Sequence, residues 1–158
     1  MNTDENNQVW TPRERETWLT LLRAFTRVHQ HLCAEMERQH ATPMAWYDVL
    51  VTLKHHCDED GCMQMQHIAE HIMMSTSGLT RLIDRMVEAN LVQRSRADDR
   101  RVVHISLTNA GEQKLAELQP AHQKRVQAVF LQYLQPEEMQ AIITGCQRVL
   151  DNFTADNA

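Results

Sequence analysis

The sequence predicts a mainly α-helical fold carrying one small β-hairpin. Three observations point there. Apolar residues recur at helical spacing along most of the chain, and only between Leu91 and Leu107 does the period shorten to two. Ala, Leu, Met, Gln, Glu and Arg, all good helix formers, dominate the composition. With 4 Gly and 4 Pro in 158 residues, the chain has too few turn-formers for an all-β fold. Its 42% hydrophobic and 23% charged residues are ordinary for a globular protein, and this length can bury a core without disulfides.

Each element has its own signals. Residues 1–9 are polar and read as a disordered tail. Thr11-Pro12 opens a first helix, with Thr as N-cap, Pro at the first helical position and Glu14 in the first turn. Trp18, Leu21, Leu22, Phe25, Val28, Leu32 and Met36 keep helical spacing far beyond the average helix length of about 11–12 residues. Thr42-Pro43 repeats the start signal for a second helix carrying Trp46, Val49, Leu50 and Leu53, which stops in the polar turn from His55 to Gly61. A third helix covers Gln64 to Ile72, and Ser75-Thr76-Ser77 offers caps for a fourth that runs to Ala89. Leu91–Arg96 and Val102–Leu107 then alternate as strands around the charged loop Ala97–Arg101, with Val103, Ile105 and Leu107 on one face. Thr108 caps a fifth helix in which Pro120 is expected to make a kink or a break. Pro136-Glu137-Glu138 opens the last helix, with Met139, Ile142, Ile143, Cys146, Val149, Leu150 and Phe153.

Helix, helix, helix, hairpin is the order of a winged helix-turn-helix. The formal net charge of −5 speaks against a nucleic-acid partner until the charge is located. On the fourth helix Ser77, Thr80, Arg81, Asp84, Arg85 and Glu88 share the face opposite the apolar stripe. Small hydroxyls let the backbone approach DNA, a helix N-terminus favours phosphate, and arginines reach guanine edges or phosphates. A solvated helix face is equally polar, so this helix alone leaves both readings open. The hairpin adds Arg94, Arg96, Arg100 and Arg101, the side chain most used in a narrow minor groove, with Asp99 placed to hold an arginine by a carboxylate fork. Six of the 16 basic residues fall between Arg81 and Arg101 against four acids, so this window is locally positive in an acidic chain.

The segment QHIAEHIMMSTSGLTRLIDRMVEANLVQRSRADDRRVVHISLTNAG, residues 66–111, resembles the MarR family of bacterial regulators. "SGLTRLIDRM", "LVQR", "DDRR" and "SLTNAG" carry the resemblance, supported by Thr42-Pro43 with Trp46–Leu50 and by Pro136-Glu137-Glu138. The resemblance implies a winged helix-turn-helix domain over 41–108 and dimerisation helices over 10–40 and 109–155. It implies a homodimer that binds a pseudo-palindromic double-stranded DNA operator, usually as a ligand-responsive repressor, while four irregularly spaced cysteines lead us to expect a cytoplasmic protein. By position, Ser75, Ser77, Thr80, Arg81 and Arg85 would face the major groove. Arg100 and Arg101 would enter the minor groove, with Asp99 as brace.

Family members often hold aromatic acids between the first, second and fifth helices, which makes Trp18, Phe25, His29, Trp46, Tyr47 and Asp48 candidates to line a cleft for an aromatic or phenolic effector. Aromatics at helical spacing are also ordinary packing. Of the four cysteines, Cys33 lies deep in its helix, and Cys57 and Cys62 flank an acidic turn that disfavours a thiolate, so reduced structural thiols are expected. Nine histidines raise the question of a metal, most visibly at His55–Cys62 and at His67 and His71, but no zinc or calcium pattern emerges and no cofactor or metal is expected. Nucleophile elbow, P-loop, dinucleotide fingerprint and HExxH are all missing from the sequence, so no catalytic residue and no enzyme is expected. A signal peptide or membrane span is not expected either. The competing reading is a helical metal-binding or protein-interaction domain without specific DNA binding.

Overall fold

The computed structural model describes residues 10–58, 61–72, 74–96 and 103–155. The 1–9 tail and the wing-tip residues Asp99, Arg100 and Arg101 lie outside the described residues. The order is α1 (Pro12–His40), α2 (Met44–His56), β1 (Cys62–Gln64), α3 (Met65–His71), α4 (Thr76–Glu88), β2 (Val92–Arg96), β3 (Val103–Leu107), α5 (Asn109–Val129), a 3-10 turn (Leu131–Tyr133) and α6 (Pro136–Ala155).

At the start of α1, the Thr11 hydroxyl accepts from the Glu14 amide at 3.2 Å and the Glu14 carboxylate accepts from the Thr11 amide at 2.7 Å. This reciprocal cap satisfies two amides that a helix start leaves without partners. Ala41 closes the helix with a left-handed φ of 47°, its amide donating to the Glu37 carbonyl. The second start differs from the sequence expectation. Pro43 occupies the N-cap of α2, while Thr42 is buried and donates its hydroxyl to the His40 carbonyl at 2.9 Å. The threonine thus tightens the α1–α2 turn rather than capping the next helix. The second helix also extends through His55 and His56.

The expected two-stranded hairpin is a three-stranded antiparallel sheet in the order β1-β3-β2. Cys62–Gln64 pairs with β3, Met63 opposite Ile105, and so covers the edge that a bare hairpin would leave open on β3. Val92 pairs with Leu107 and Arg94 with Ile105 on the other side.

Residues up to Gln119 form one compact unit and those from Pro120 onward a second. In the first, Leu50, Leu53, Ile68, Leu79, Ile83, Met86, Ile105 and Leu118 are fully buried in a single core that joins α2, α3, α4, the sheet and the first half of α5. His40 Nδ1 and Glu117 Oε1, 3.0 Å apart, tie α1 to α5. The fifth helix is continuous through Pro120, and the boundary between the units falls at that residue. In the second unit every residue of α6 from Ala141 to Phe153 is exposed. Among the described residues no helix is long and apolar enough to cross a membrane.

Candidate nucleic-acid interface

The fourth helix is built to present one polar face. Leu79, Ile83 and Met86 are buried on its inner side. Ser75, Ser77, Thr80, Arg81, Asp84, Arg85 and Glu88 are all exposed, as the amphipathic spacing predicts. Ser75 is the N-cap, its hydroxyl accepting from the Gly78 amide at 3.3 Å and lying 3.4 Å from the Ser77 hydroxyl. The first turn contains no acidic residue, so the partial positive charge of the helix start is not offset there. Thr80 donates to the Thr76 carbonyl at 2.9 Å, which turns its oxygen lone pairs outward. Arg81 and Arg85, one turn apart, form no ion pair among the described residues, leaving both guanidinium forks open to phosphate or to a guanine edge.

The wing leaves this helix through a tight turn. Asn90 takes a left-handed φ of 57° and Leu91 is buried beneath it. The Thr108 hydroxyl donates to the Asn90 carbonyl at 2.6 Å and accepts from the Gly111 amide at 3.0 Å, so one side chain caps α5 and fastens it to the α4–β2 turn. Arg94 does not reach outward with the wing. Its guanidinium meets the Asp84 carboxylate on α4 at 2.7 Å. The sequence alone puts Arg94 among the groove-reading arginines and Asp84 on the polar face of α4, with no link between them. The alternation Val92, Arg94 opposite Leu107, Ile105 was the signal that places Arg94 on the inner side of the sheet.

The candidate effector residues divide into three groups. Phe25 and His29 stack with ring centroids 5.6 Å apart, and His29 Nε2 lies 3.5 Å from Cys33 Sγ. Burial pushes the Asp48 carboxyl up, with His29 pulling it part of the way back, and burial followed by Asp48 raises the Cys33 thiol. Phe25, His29 and Cys33 thus form a row along α1, with Asp48 of α2 within electrostatic reach of His29 and Cys33. Trp18 stands apart, half exposed and about two turns earlier on α1. Tyr47 is buried in the core and Trp46 packs against it, so these two aromatics serve packing first. Burial and then Asp58 raise the Cys57 thiol. His71 Nδ1 lies 2.8 Å from the His67 carbonyl oxygen, and the His71 ring lies 4.6 Å from that of His56. Among the described residues no three His, Cys, Asp or Glu side chains are grouped to hold a metal ion.

A capped, amphipathic helix with an arginine face, joined by a short turn to an antiparallel wing, defines a winged helix-turn-helix DNA-binding protein. The model of the MarR family matches residues 44–103, the segment holding α2 through the start of β3. The chain is 34% identical to the transcriptional repressor MdtR of Bacillus subtilis over 122 residues, covering 77% of this chain and 75% of that one. Its fold is similar to that of AbsC, a MarR family regulator from Streptomyces coelicolor, with a TM-score of 0.85, 27% identity and coverage of 94% and 99%. It is also similar to Sco3205 from the same organism, solved in complex with DNA, with a TM-score of 0.85, 22% identity and coverage of 94% and 92%. The chain belongs to the MarR family, and it is a DNA-binding transcriptional regulator rather than an enzyme.

Proposed function

We propose that the protein is a homodimeric repressor whose two α4 helices read successive major-groove half-sites of a pseudo-palindromic operator, about 34–36 Å apart. Ser75, Ser77, Thr80, Arg81 and Arg85 face the bases and phosphates. Arg100 and Arg101 enter the flanking minor groove with Asp99 as brace, a role carried over from the family resemblance alone. The observation that carries this reading is the exposed face of α4, where hydroxyls gather at an uncompensated helix start and two arginines without an ion pair among the described residues follow one turn apart. The acidic total keeps non-specific affinity modest while the local positive window orients the molecule on DNA.

Dimerisation is supported by apolar surface left without cover. On α1, Trp18, Leu21, Leu22 and Phe25 are each close to or beyond half exposed. On α6, Ile143, Val149, Leu150 and Phe153 are 55–63% exposed. Apolar residues at helical spacing in that number on one face mark an association surface. A small aromatic or phenolic effector binds at Phe25, His29 and Asp48, while Trp46 and Tyr47 are given to the core and Trp18 lies away from the site. The repressor assignment follows the name of the Bacillus relative.

The test is selection of duplexes from a random-sequence pool, followed by fluorescence anisotropy on the recovered sequence. Expected are a two-fold-related consensus and an affinity at least a thousandfold above random DNA, on the order typical of specific regulators. Arg101→Ala should weaken binding to most sequences and flatten the salt dependence by about one phosphate contact. Recovery of no two-fold-related consensus would overturn the pseudo-palindromic operator.

A further inference from the structure

We infer that Arg94 is a positioning residue that, paired with Asp84, locks the wing to the recognition helix and thereby sets operator discrimination without itself touching DNA. The inference rests on the placement of α4 in the major groove and the wing beside it proposed above.

Register carries the first half of the case. Residues directly opposite in an antiparallel pair project to the same side of the sheet. Arg94 lies opposite Ile105, and Ile105 lies opposite Met63. Both apolar partners are buried in the core. Arg94 therefore occupies an inward position on an edge strand, where an apolar residue would otherwise continue the row begun by Val92. Its long apolar stem can lie along the sheet edge while the guanidinium comes out at the margin of α4.

The second half is the partner. Asp84 Oδ1 holds Arg94 Nη1 at 2.7 Å, with the two side chains 49% and 36% exposed. A pair this open adds little to global stability, since solvent screens it. What it fixes is an angle. Leu91 and Val92 bury the root of β2 in the core, whereas Gln93, Arg94 and Ser95 are exposed. Beyond the root, the ion pair joins the middle of this edge strand directly to the reading helix. A swing at Arg94 therefore changes the angle at which β2 leaves the core beside α4. Asp84 also places a negative charge on the face meant for phosphates, a placement unfavourable to DNA unless that charge is engaged.

The two roles predict opposite signs. The probe is the duplex recovered by selection with the wild-type protein, compared with a random duplex of equal length and across a salt series. Asp84→Asn, Arg94→Gln and the double variant are each compared with wild type, with thermal melting as the control for folding. A brace predicts that each single variant lowers the operator-to-random affinity ratio about three- to tenfold, the scale of immobilising one or two flexible side chains on binding. It further predicts that the double variant loses no more than either single one and that the salt slope stays unchanged. The inference is overturned if Arg94→Gln flattens the salt slope by about one contact while Asp84→Asn tightens binding, because Arg94 is then a phosphate ligand. Unchanged ratios in all three variants overturn it as well. If the wild type selects no consensus sequence at all, the groove placement itself fails, and the inference fails with it.

Discussion

Arg81 and Arg85 form no ion pair among the described residues, while Arg94, thirteen and nine positions on, is engaged by Asp84. Arginines of one chemical type thus take different roles according to what stands within reach. Arg81→Ala is expected to lower operator affinity by about 1–3 kcal/mol, read by anisotropy against the selected duplex; a loss common to operator and random DNA would mark a phosphate contact instead. At Asp48 the direction of the shift makes a stability prediction. Its carboxyl sits above the ordinary value of 3.8 because burial penalises the anion. The folded state then holds the proton more readily than the unfolded chain, and stability falls as pH rises through that window. Asp48→Asn should therefore raise the melting temperature at neutral pH, with the advantage fading as pH approaches 3.8; equal gains at both ends would exclude a buried charge as the cause.

At the scale of elements, the junction between α4, the wing and α5 concentrates several constraints in a few residues. Leu91 supplies a carbonyl to the Thr108 amide at 3.1 Å, and a Cβ on Gly111 would press into that same carbonyl oxygen. Backbone lies on both sides of the contact, so neither can yield cheaply. Gly111→Ala should destabilise the protein by about 1–3 kcal/mol, seen as a drop of several degrees in melting temperature. A neutral outcome would show that the α5 start can shift away from the turn. The glycine was legible in "SLTNAG" as part of a family pattern, whereas its reason, a close approach to a residue twenty positions earlier, was not. The third strand was illegible for a similar cause. Cys62–Gln64 is too short to show alternation, and it is a strand only because β3 offers it an unpaired edge.

For the whole molecule, the exposed apolar side chains on α1 and α6 are what supports the proposed dimer. Leu150→Asp with Phe153→Asp places charge on a helix face that lies 55% and 63% exposed at those two positions. The single chain tolerates such a change, and a buried dimer seam does not. Sedimentation should show a monomer in place of a dimer, with operator affinity falling to that of one lobe while melting still reports a folded winged domain. A variant that remains dimeric would move the seam elsewhere. The division of charge acts on the same scale: a chain of net −5 with six of its 16 basic residues between Arg81 and Arg101 should bind DNA through few contacts. The fitted slope of log affinity on log salt should correspond to a handful of phosphates per protomer, at about −0.9 each.

The sequence by itself determined the helices, their order, the caps at Thr11, Ser75 and Thr108, and the polar face of α4, because each is written in spacing and residue type within a few turns of chain. Tertiary structure decided which groups from distant segments meet. It paired Arg94 with Asp84, laid β1 on β3, buried Tyr47 while leaving Trp18 and Phe25 exposed, moved Thr42 from cap to turn, and carried α5 through Pro120. These outcomes depend on edges, burial and charge supplied by other elements, and local periodicity carries no record of those.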